Sequence, residues 1–158
     1  MKINKANLAY AFLCNIPVSA CLCIAANFSN NSGNFIWSDF LLNYAISLPV
    51  AILISLFVPL VGLGKWFTSL FGIEHETFTN NLMYRLLATL FSSFIYFMIL
   101  NPVLAVFNVV ISGVWLNVPL WLFNWMRSLP GMLAVGFFSS LFFDIPAYRI
   151  AHKIDPKF

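Results

Sequence analysis

Four long apolar stretches, almost free of charge, dominate the hydrophobic pattern of the chain. No charged residue occurs between Lys5 and Asp39, between Asp39 and Lys65, or between Arg85 and Arg127. A helix needs about 20 mostly apolar residues to cross a bilayer. The pattern therefore predicts transmembrane helices at residues 8–27, 40–63, 84–110 and 120–143.

Composition supports a membrane environment. Of the 158 residues, 61% are hydrophobic and only 8% are charged, whereas about a quarter of the residues in a soluble domain are charged. A chain of this size has too little interior to bury so much apolar surface in water. The net charge of +3 is small and scattered, which argues against a nucleic-acid partner. The predicted class is an all-α membrane protein whose partner is the lipid bilayer.

The basic residues predict the orientation of these spans. In a four-span topology Arg127 and the acidic residue Asp39 fall on one side, and the other basic residues fall opposite. Those residues are Lys2, Lys5, Lys65, Arg85, Arg149, Lys153 and Lys157. Because cytoplasmic loops carry an excess of Lys and Arg, we predict a multi-pass protein of the bacterial inner membrane with both termini in the cytoplasm.

The first apolar stretch has an alternative interpretation as a signal peptide. The segment Val18-Ser19-Ala20-Cys21 is typical of a lipoprotein cleavage site. Apolar sequence continues past this site, at Leu22 and Ile24, where a lipoprotein would usually turn polar. A retained first span is therefore the favoured interpretation.

Two ten-residue segments of the chain are closely similar. FLLNYAISLP at 40–49 and WLFNWMRSLP at 121–130 align without a gap. The identical pairs are Leu41/Leu122, Asn43/Asn124, Ser47/Ser128, Leu48/Leu129 and Pro49/Pro130. Upstream, the segment at 15–18 resembles the one at 101–103. This similarity predicts a tandem duplication of a two-span hairpin.

The duplication implies a domain organisation. We predict a first repeat at 1–64, a cytoplasmic link at 65–83 and a second repeat with a basic tail at 84–158. A two-span unit returns to its starting side, so both copies have the same orientation and are related by an axis along the membrane normal. The predicted fold is four transmembrane helices from two parallel two-helix repeats, either a four-helix bundle or half of a larger one formed by a homodimer.

Each predicted span contains one proline. A proline inside a helix removes a backbone hydrogen bond and kinks the helix, and membrane helices tolerate this where neighbours satisfy the freed carbonyl. The predicted kinks are at Pro17, Pro49, Pro102 and Pro130.

Polar side chains lie just before two of these kinks. Asn43 and Ser47 are four residues apart, as are Asn124 and Ser128, so each pair shares one helix face. One interpretation is polar contact between helices, worth about 0.6 kcal/mol per contact. The other is a polar cavity between the repeats, to which Asn101 would also contribute.

Arg127 breaks the symmetry of the repeats, because its counterpart is Ile46. Three interpretations remain open. The guanidinium extends outward to lipid phosphates, it pairs with Asp39, or it binds an anionic ligand. Asp39 also has a simpler role, because a carboxylate in the first turn complements the dipole of the second helix.

Titratable side chains are too few and too scattered to predict catalysis or metal binding. Cys14, Cys21 and Cys23 share one span without disulfide geometry and are predicted to be small apolar packing residues. The segment Glu74-His75-Glu76 resembles a metal site only superficially, since adjacent residues on a helix point apart. The sequence predicts no cofactor, no metal and no enzymatic activity.

Two further predictions concern the cytoplasmic side. Trp66, Phe67, Leu70 and Phe71 have helical spacing, which predicts a short interfacial helix in the link. The segment Asp144-Ile145-Pro146 is predicted to end the fourth helix, because proline lacks an amide hydrogen.

The second half of the chain has a pattern of its own. It places asparagine in one span, aromatic residues at the start of the next, and a proline followed by basic residues at the end. The residues are Asn101, Asn108, Trp121, Trp125, Pro146, Arg149 and Lys153. This pattern, over about residues 96–154, resembles a family of two-span bacterial membrane proteins known only as a domain of unknown function. The first half resembles it less, departing at Gly62, Gly64 and Lys65.

The architecture alone is similar to the proteobacterial antimicrobial compound efflux family, which also duplicates a two-span unit. That family relies on an acidic residue inside its first span. No acidic residue occurs there in this chain, so the similarity does not imply its proton-coupled mechanism.

These features lead to two functional hypotheses. The first is a small transporter or efflux protein for a small amphiphilic or anionic molecule, with ligand-binding residues Asn43, Ser47, Asn101, Asn124, Arg127, Ser128 and Asp39. The alternative is a structural or accessory subunit that packs against a partner membrane protein. The two differ in whether the polar faces of the second and fourth spans meet inside the monomer or point outward.

Overall fold

A computed structural model describes residues 5–73, 82–113, 115 and 117–156, and its regular structure is helical throughout those residues. There are five helices: α1 at Lys5–Asn30, α2 at Trp37–Phe57, α3 at Leu60–Ser69, α4 at Leu82–Ser112 and α5 at Val118–Ile154. Four of them, α1, α2, α4 and α5, are long and apolar enough to cross a membrane. The predicted all-α class and the four spans are confirmed. The Glu74-His75-Glu76 segment lies outside the described residues.

The four long helices form a bundle in which neighbours run antiparallel. α1 packs against α2 and α5, and α4 packs against α5 and α2. The order around the bundle is therefore α1, α2, α4, α5, with α1 diagonal to α4. A two-fold axis between the hairpins would exchange α1 with α4 and α2 with α5, and it requires this order. It would also make the α1–α5 and α2–α4 contacts equivalent, but the α1–α5 contact is far larger. The duplication stays a prediction.

The buried core lies where all four long helices meet. Its buried hydrophobic members are Val18, Leu22, Val50, Ala51, Ile54, Tyr96, Phe97 and Leu100. The prolines predicted to kink the spans all lie inside these helices, at Pro17, Pro49, Pro102 and Pro130.

The second span is shorter than the predicted 40–63. α2 ends at Phe57, and Val58 is extended, with φ −95° and ψ 122°. The cause is Pro59, which disfavours the helical conformation of the residue before it. The chain then starts a new helix, α3, so the predicted span contains two elements.

The fourth helix is longer than predicted. It does not end at Asp144-Ile145-Pro146 but passes through Pro146 and continues to Ile154. Packing stabilises the continuation, because Ala147 and Ala151 are almost completely buried and share the helix face of Asp144, which contacts α1. Small residues let helix backbones approach closely, and this contact outweighs the lost hydrogen bond.

The helix predicted within the link exists, but it begins earlier and packs on α4. Phe67 stacks on Phe91 of α4 with ring centroids 4.2 Å apart, and Ser92 donates a hydrogen bond to the Leu60 carbonyl at 3.0 Å. Trp66 and Leu70 are exposed. α3 therefore covers one end of α4 with one face only.

The turn between α1 and α2 is closed by one side chain. Asn27 is 1% exposed. Its amide nitrogen donates to the Ile36 carbonyl, and its oxygen accepts from the Ile36 amide, both at 2.8 Å. This pair of bonds replaces a cap on α2, because Ile36 has no polar side chain to supply one.

Replacing Asn27 with alanine should therefore loosen the turn. We expect Asn27→Ala to lower the free energy of unfolding by about 1–3 kcal/mol, because it leaves the Ile36 amide unpaired and leaves the Ile36 carbonyl with only its bond from the Phe40 amide. Asn34→Ala is the matched control, since Asn34 is exposed in the same turn. Thermal unfolding in mild detergent, followed by circular dichroism, measures both variants. Equal midpoints would contradict the role given to Asn27.

Candidate functional site

Two cavities of similar size lie inside the bundle, towards opposite ends. The loop cavity, about 660 Å³, lies at the end where α1 joins α2 and α4 joins α5. The terminal cavity, about 640 Å³, lies at the end where α1 begins and α5 ends. Both have walls from α1, α2, α4 and α5, and α3 also lines the terminal cavity.

The loop cavity gathers six of the seven predicted ligand-binding residues. α2 supplies Asn43 and Ser47, α4 supplies Asn101, and α5 supplies the others, which are Asn124, Arg127 and Ser128. Spacing of three or four residues places each group on one helix face, and the bundle turns these faces towards one space. The polar faces of the second and fourth spans therefore meet inside the monomer.

Two of these polar side chains bond within the protein. Ser47 is buried, and its hydroxyl lies 3.2 Å from Cys23 Sγ. The Ser128 hydroxyl donates to the Trp125 carbonyl of its own helix at 3.0 Å. These contacts agree with the interpretation of serines as internal hydrogen-bonding residues.

The other polar side chains of the loop cavity are available to a ligand. No hydrogen bond or ion pair is formed within the described part of the chain by the side chains of Asn43, Asn101, Asn124 and Arg127. Asn124 and Arg127 are exposed, and Asn43 and Asn101 are partly buried. Among the described residues of the lining Arg127 is the one that carries a charge, so the cavity favours a negative charge.

Aromatic rings form one wall of the loop cavity. Trp121 and Trp125 stack with ring centroids 5.3 Å apart. The indole nitrogen of Trp125 is buried and has no hydrogen-bond partner among the described residues, so this lining residue carries a further donor. The sequence indicated aromatic residues here through the start of the fourth span and through the repeat, where Tyr44 is the counterpart of Trp125.

Asp39 lies outside the loop cavity lining, unlike the other predicted residues. It accepts a hydrogen bond from Asn31 at 3.3 Å and one from Ser38 at 3.4 Å. Among the described residues no ion pair joins it to Arg127. Its place in the first turn of α2 suits the interpretation that its carboxylate complements the helix dipole.

The terminal cavity contains a buried carboxylate that is not among the predicted ligand-binding residues. Asp144 is 9% exposed. Tyr10 Oη donates to its Oδ1 at 3.2 Å, and Cys14 Sγ donates to the same oxygen at 2.9 Å. Neither bond occupies Oδ2. Because ionisable groups inside membrane spans are costly and usually paired, this cluster is a second candidate site.

Arg85 lies close enough to Asp144 for an electrostatic interaction. One terminal nitrogen of its guanidinium donates to the Leu141 carbonyl at 3.0 Å, while its Nε is buried without a partner. The basic residue thus links α4 to α5 beside the carboxylate. It offsets part of the cost of burying that charge.

The sequence predictions for this cluster need correction. Cys14 is not only an apolar packing residue, because its thiol donates to a carboxylate. The prediction treated Asp144 as part of a helix end, although α5 continues past it. The available signal was the four-residue spacing of Tyr10 and Cys14, which places both on one face of α1.

Asp144 should therefore matter for stability. We expect Asp144→Ala to lower the free energy of unfolding by about 2 kcal/mol or more, because the donors on α1 lose their acceptor and Arg85 loses its counter-charge. Asp144→Asn is the matched variant. It keeps an acceptor oxygen and should recover part of the loss. Thermal unfolding in detergent separates them, and a stable alanine variant would show that the cluster does not join α1 to α5.

Comparison with other proteins adds no functional assignment. No family model, no curated protein and no solved structure matches the chain. The resemblances to a two-span family and to an efflux architecture therefore stay predictions. The established conclusion is an all-α protein with four helices long and apolar enough to cross a membrane.

Proposed function

We propose that the protein is a small inner-membrane transporter or efflux protein for a small amphiphilic or anionic molecule. The observation that carries this proposal is the convergence of Asn43, Asn101, Asn124 and Arg127 on the loop cavity. Ligand pockets typically combine apolar or aromatic walls with a few convergent polar groups. Here tryptophan rings supply the wall and Arg127 supplies the charge.

The charge distribution supports an orientation. Lys5, Lys65, Arg85, Arg149 and Lys153 lie at or near the end of the bundle that holds the terminal cavity, whereas Arg127 lies towards the other. By the positive-inside rule this distribution supports a topology with both termini in the cytoplasm. The loop cavity would then face the outside, and the terminal cavity would face the cytoplasm.

An accessory subunit is the second candidate function. Its support is the outer face of α5, which exposes large apolar side chains: Leu122, Phe123, Met126, Phe138 and Phe142. A homodimer or a partner membrane protein could cover this face, and so could lipid. The polar faces of α2 and α5 line an internal cavity instead, which favours the ligand-binding hypothesis.

The cavity hypothesis predicts that Arg127 retains an anionic ligand. We expect Arg127→Leu to leave the fold intact and to weaken retention of a co-purified anionic amphiphile by about tenfold or more, because a charge-assisted hydrogen bond is worth about 1.5–3 kcal/mol. Native mass spectrometry of protein released from mild detergent measures bound small molecules and oligomeric state together. The fluorescent anion 8-anilinonaphthalene-1-sulfonate provides a defined probe.

Arg149→Leu is the control for this experiment. It removes an exposed arginine from the other end of the same helix, so it changes net charge equally without altering the loop cavity. Equal retention by both variants would count against a ligand site at Arg127. A bare monomer, or a chain found only with a heavier partner protein, would favour the accessory function.

A further inference from the structure

The two cavities share part of their lining. Only Leu22 and Phe97 belong to the lining of both cavities, as far as the described residues go. Leu22 is 5% exposed and Phe97 is 3% exposed. Both side chains belong to the buried core where the four long helices meet, and we call this pair the septum.

The Phe97 ring is fitted against a glycine. A Cβ atom added to Gly136 of α5 would lie 2.6 Å from Phe97 Cε2 and 2.7 Å from Cζ. Real Cβ atoms do not approach other atoms so closely, so the ring rests on the α5 backbone where only glycine leaves room. The same Cβ would lie 3.7 Å from Leu22 Cδ2. Both residues of the septum therefore pack against Gly136.

Two buried hydroxyl groups lie near the septum. Ser19 lines the loop cavity and Tyr96 lines the terminal cavity. Both residues are more than nine-tenths buried. Their hydroxyls lie close to each other, and neither has a further hydrogen-bond partner among the described residues. A core built for stability alone would satisfy such groups or replace them by apolar atoms.

We propose that Phe97, seated on Gly136, is the gate between the loop and terminal cavities, and that Ser19 and Tyr96 form the hydrogen-bonding position that a small polar or anionic solute occupies as it passes. This inference rests on the proposed transport function. It adds a continuous route through the bundle and names the barrier on it.

The surrounding helices suit such a gate. Pro102 lies five residues beyond Phe97 on α4, and Pro130 lies six residues before Gly136 on α5. Each proline removes one backbone hydrogen bond from its helix, so both helices are easier to bend close to the septum. Movement of α4 away from α5 would lift the ring from Gly136 and join the two cavities.

Cysteine accessibility tests the gate without knowledge of the solute. The background chain carries Cys14→Ser, Cys21→Ala and Cys23→Ser, and Ser140→Cys then places one reporter thiol in the lining of the terminal cavity. The reagent is sulfonatoethyl methanethiosulfonate, which is charged and does not cross membranes. It is applied to proteoliposomes of known protein orientation, from the loop end only.

With the septum intact, we expect slow labelling of Ser140→Cys from the loop end. Adding Phe97→Ala should increase that rate by about tenfold or more, because it removes a barrier that is open in at most a small fraction of molecules. Phe94→Ala is the matched control, since Phe94 lies on the same helix and lines neither cavity. It should leave the rate unchanged. If Phe97→Ala disrupts folding, the shorter side chain of Phe97→Leu should give a smaller increase.

The outcomes separate this inference from the proposed function. A folded Phe97→Ala chain whose labelling rate does not rise would overturn the gate, whatever Arg127→Leu does to ligand retention. An equal rise with Phe94→Ala would overturn it too, because any packing defect would then open the bundle. A rise specific to Phe97, combined with unchanged ligand retention in Arg127→Leu, would support the gate while contradicting the loop cavity as the binding site.

Discussion

The close contact between α1 and α5 is the interaction on which the rest of the structure depends. It uses small residues, with Ala6 and Ala151 fully buried and Ala11 and Ala147 nearly so. Small residues allow backbones to approach, and dispersion between them stabilises helix association where lipid offers no hydrophobic driving force. This contact keeps α5 helical through Pro146. It also brings Asp144 to the donors on α1.

Tight packing on one side of the bundle is accompanied by open space elsewhere. The contact between α2 and α4 is much smaller than that between α1 and α5, and the two cavities lie between the helices. Polar side chains inside a membrane protein are acceptable where they line such a space, because there they can meet water or a ligand. Phe97 and Leu22, which line both cavities, belong to the buried core where the four helices meet.

Much of the fold was predictable because the bilayer imposes a length and a polarity on every span. The absence of charge between Lys5 and Asp39, or between Arg85 and Arg127, was sufficient to locate four helices. The boundaries at Phe57 and Ile154 were not predictable in this way. Prolines occur near both, and local rules cannot say whether a proline ends a helix, as at Pro59, or lies within it, as at Pro146. Packing against neighbouring helices decides between these outcomes.

The sequence alone determined the membrane class, the number of spans and which polar residues share a helix face, because these follow from composition and helical periodicity. It identified six residues that line the loop cavity from their spacing and the repeat. Only the tertiary structure decided that Cys14 and Tyr10 meet Asp144, that Arg127 does not pair with Asp39, and that Phe97 rests on Gly136. Those contacts join residues far apart in the chain, and their partners are chosen by how the helices pack, which periodicity along one helix does not encode.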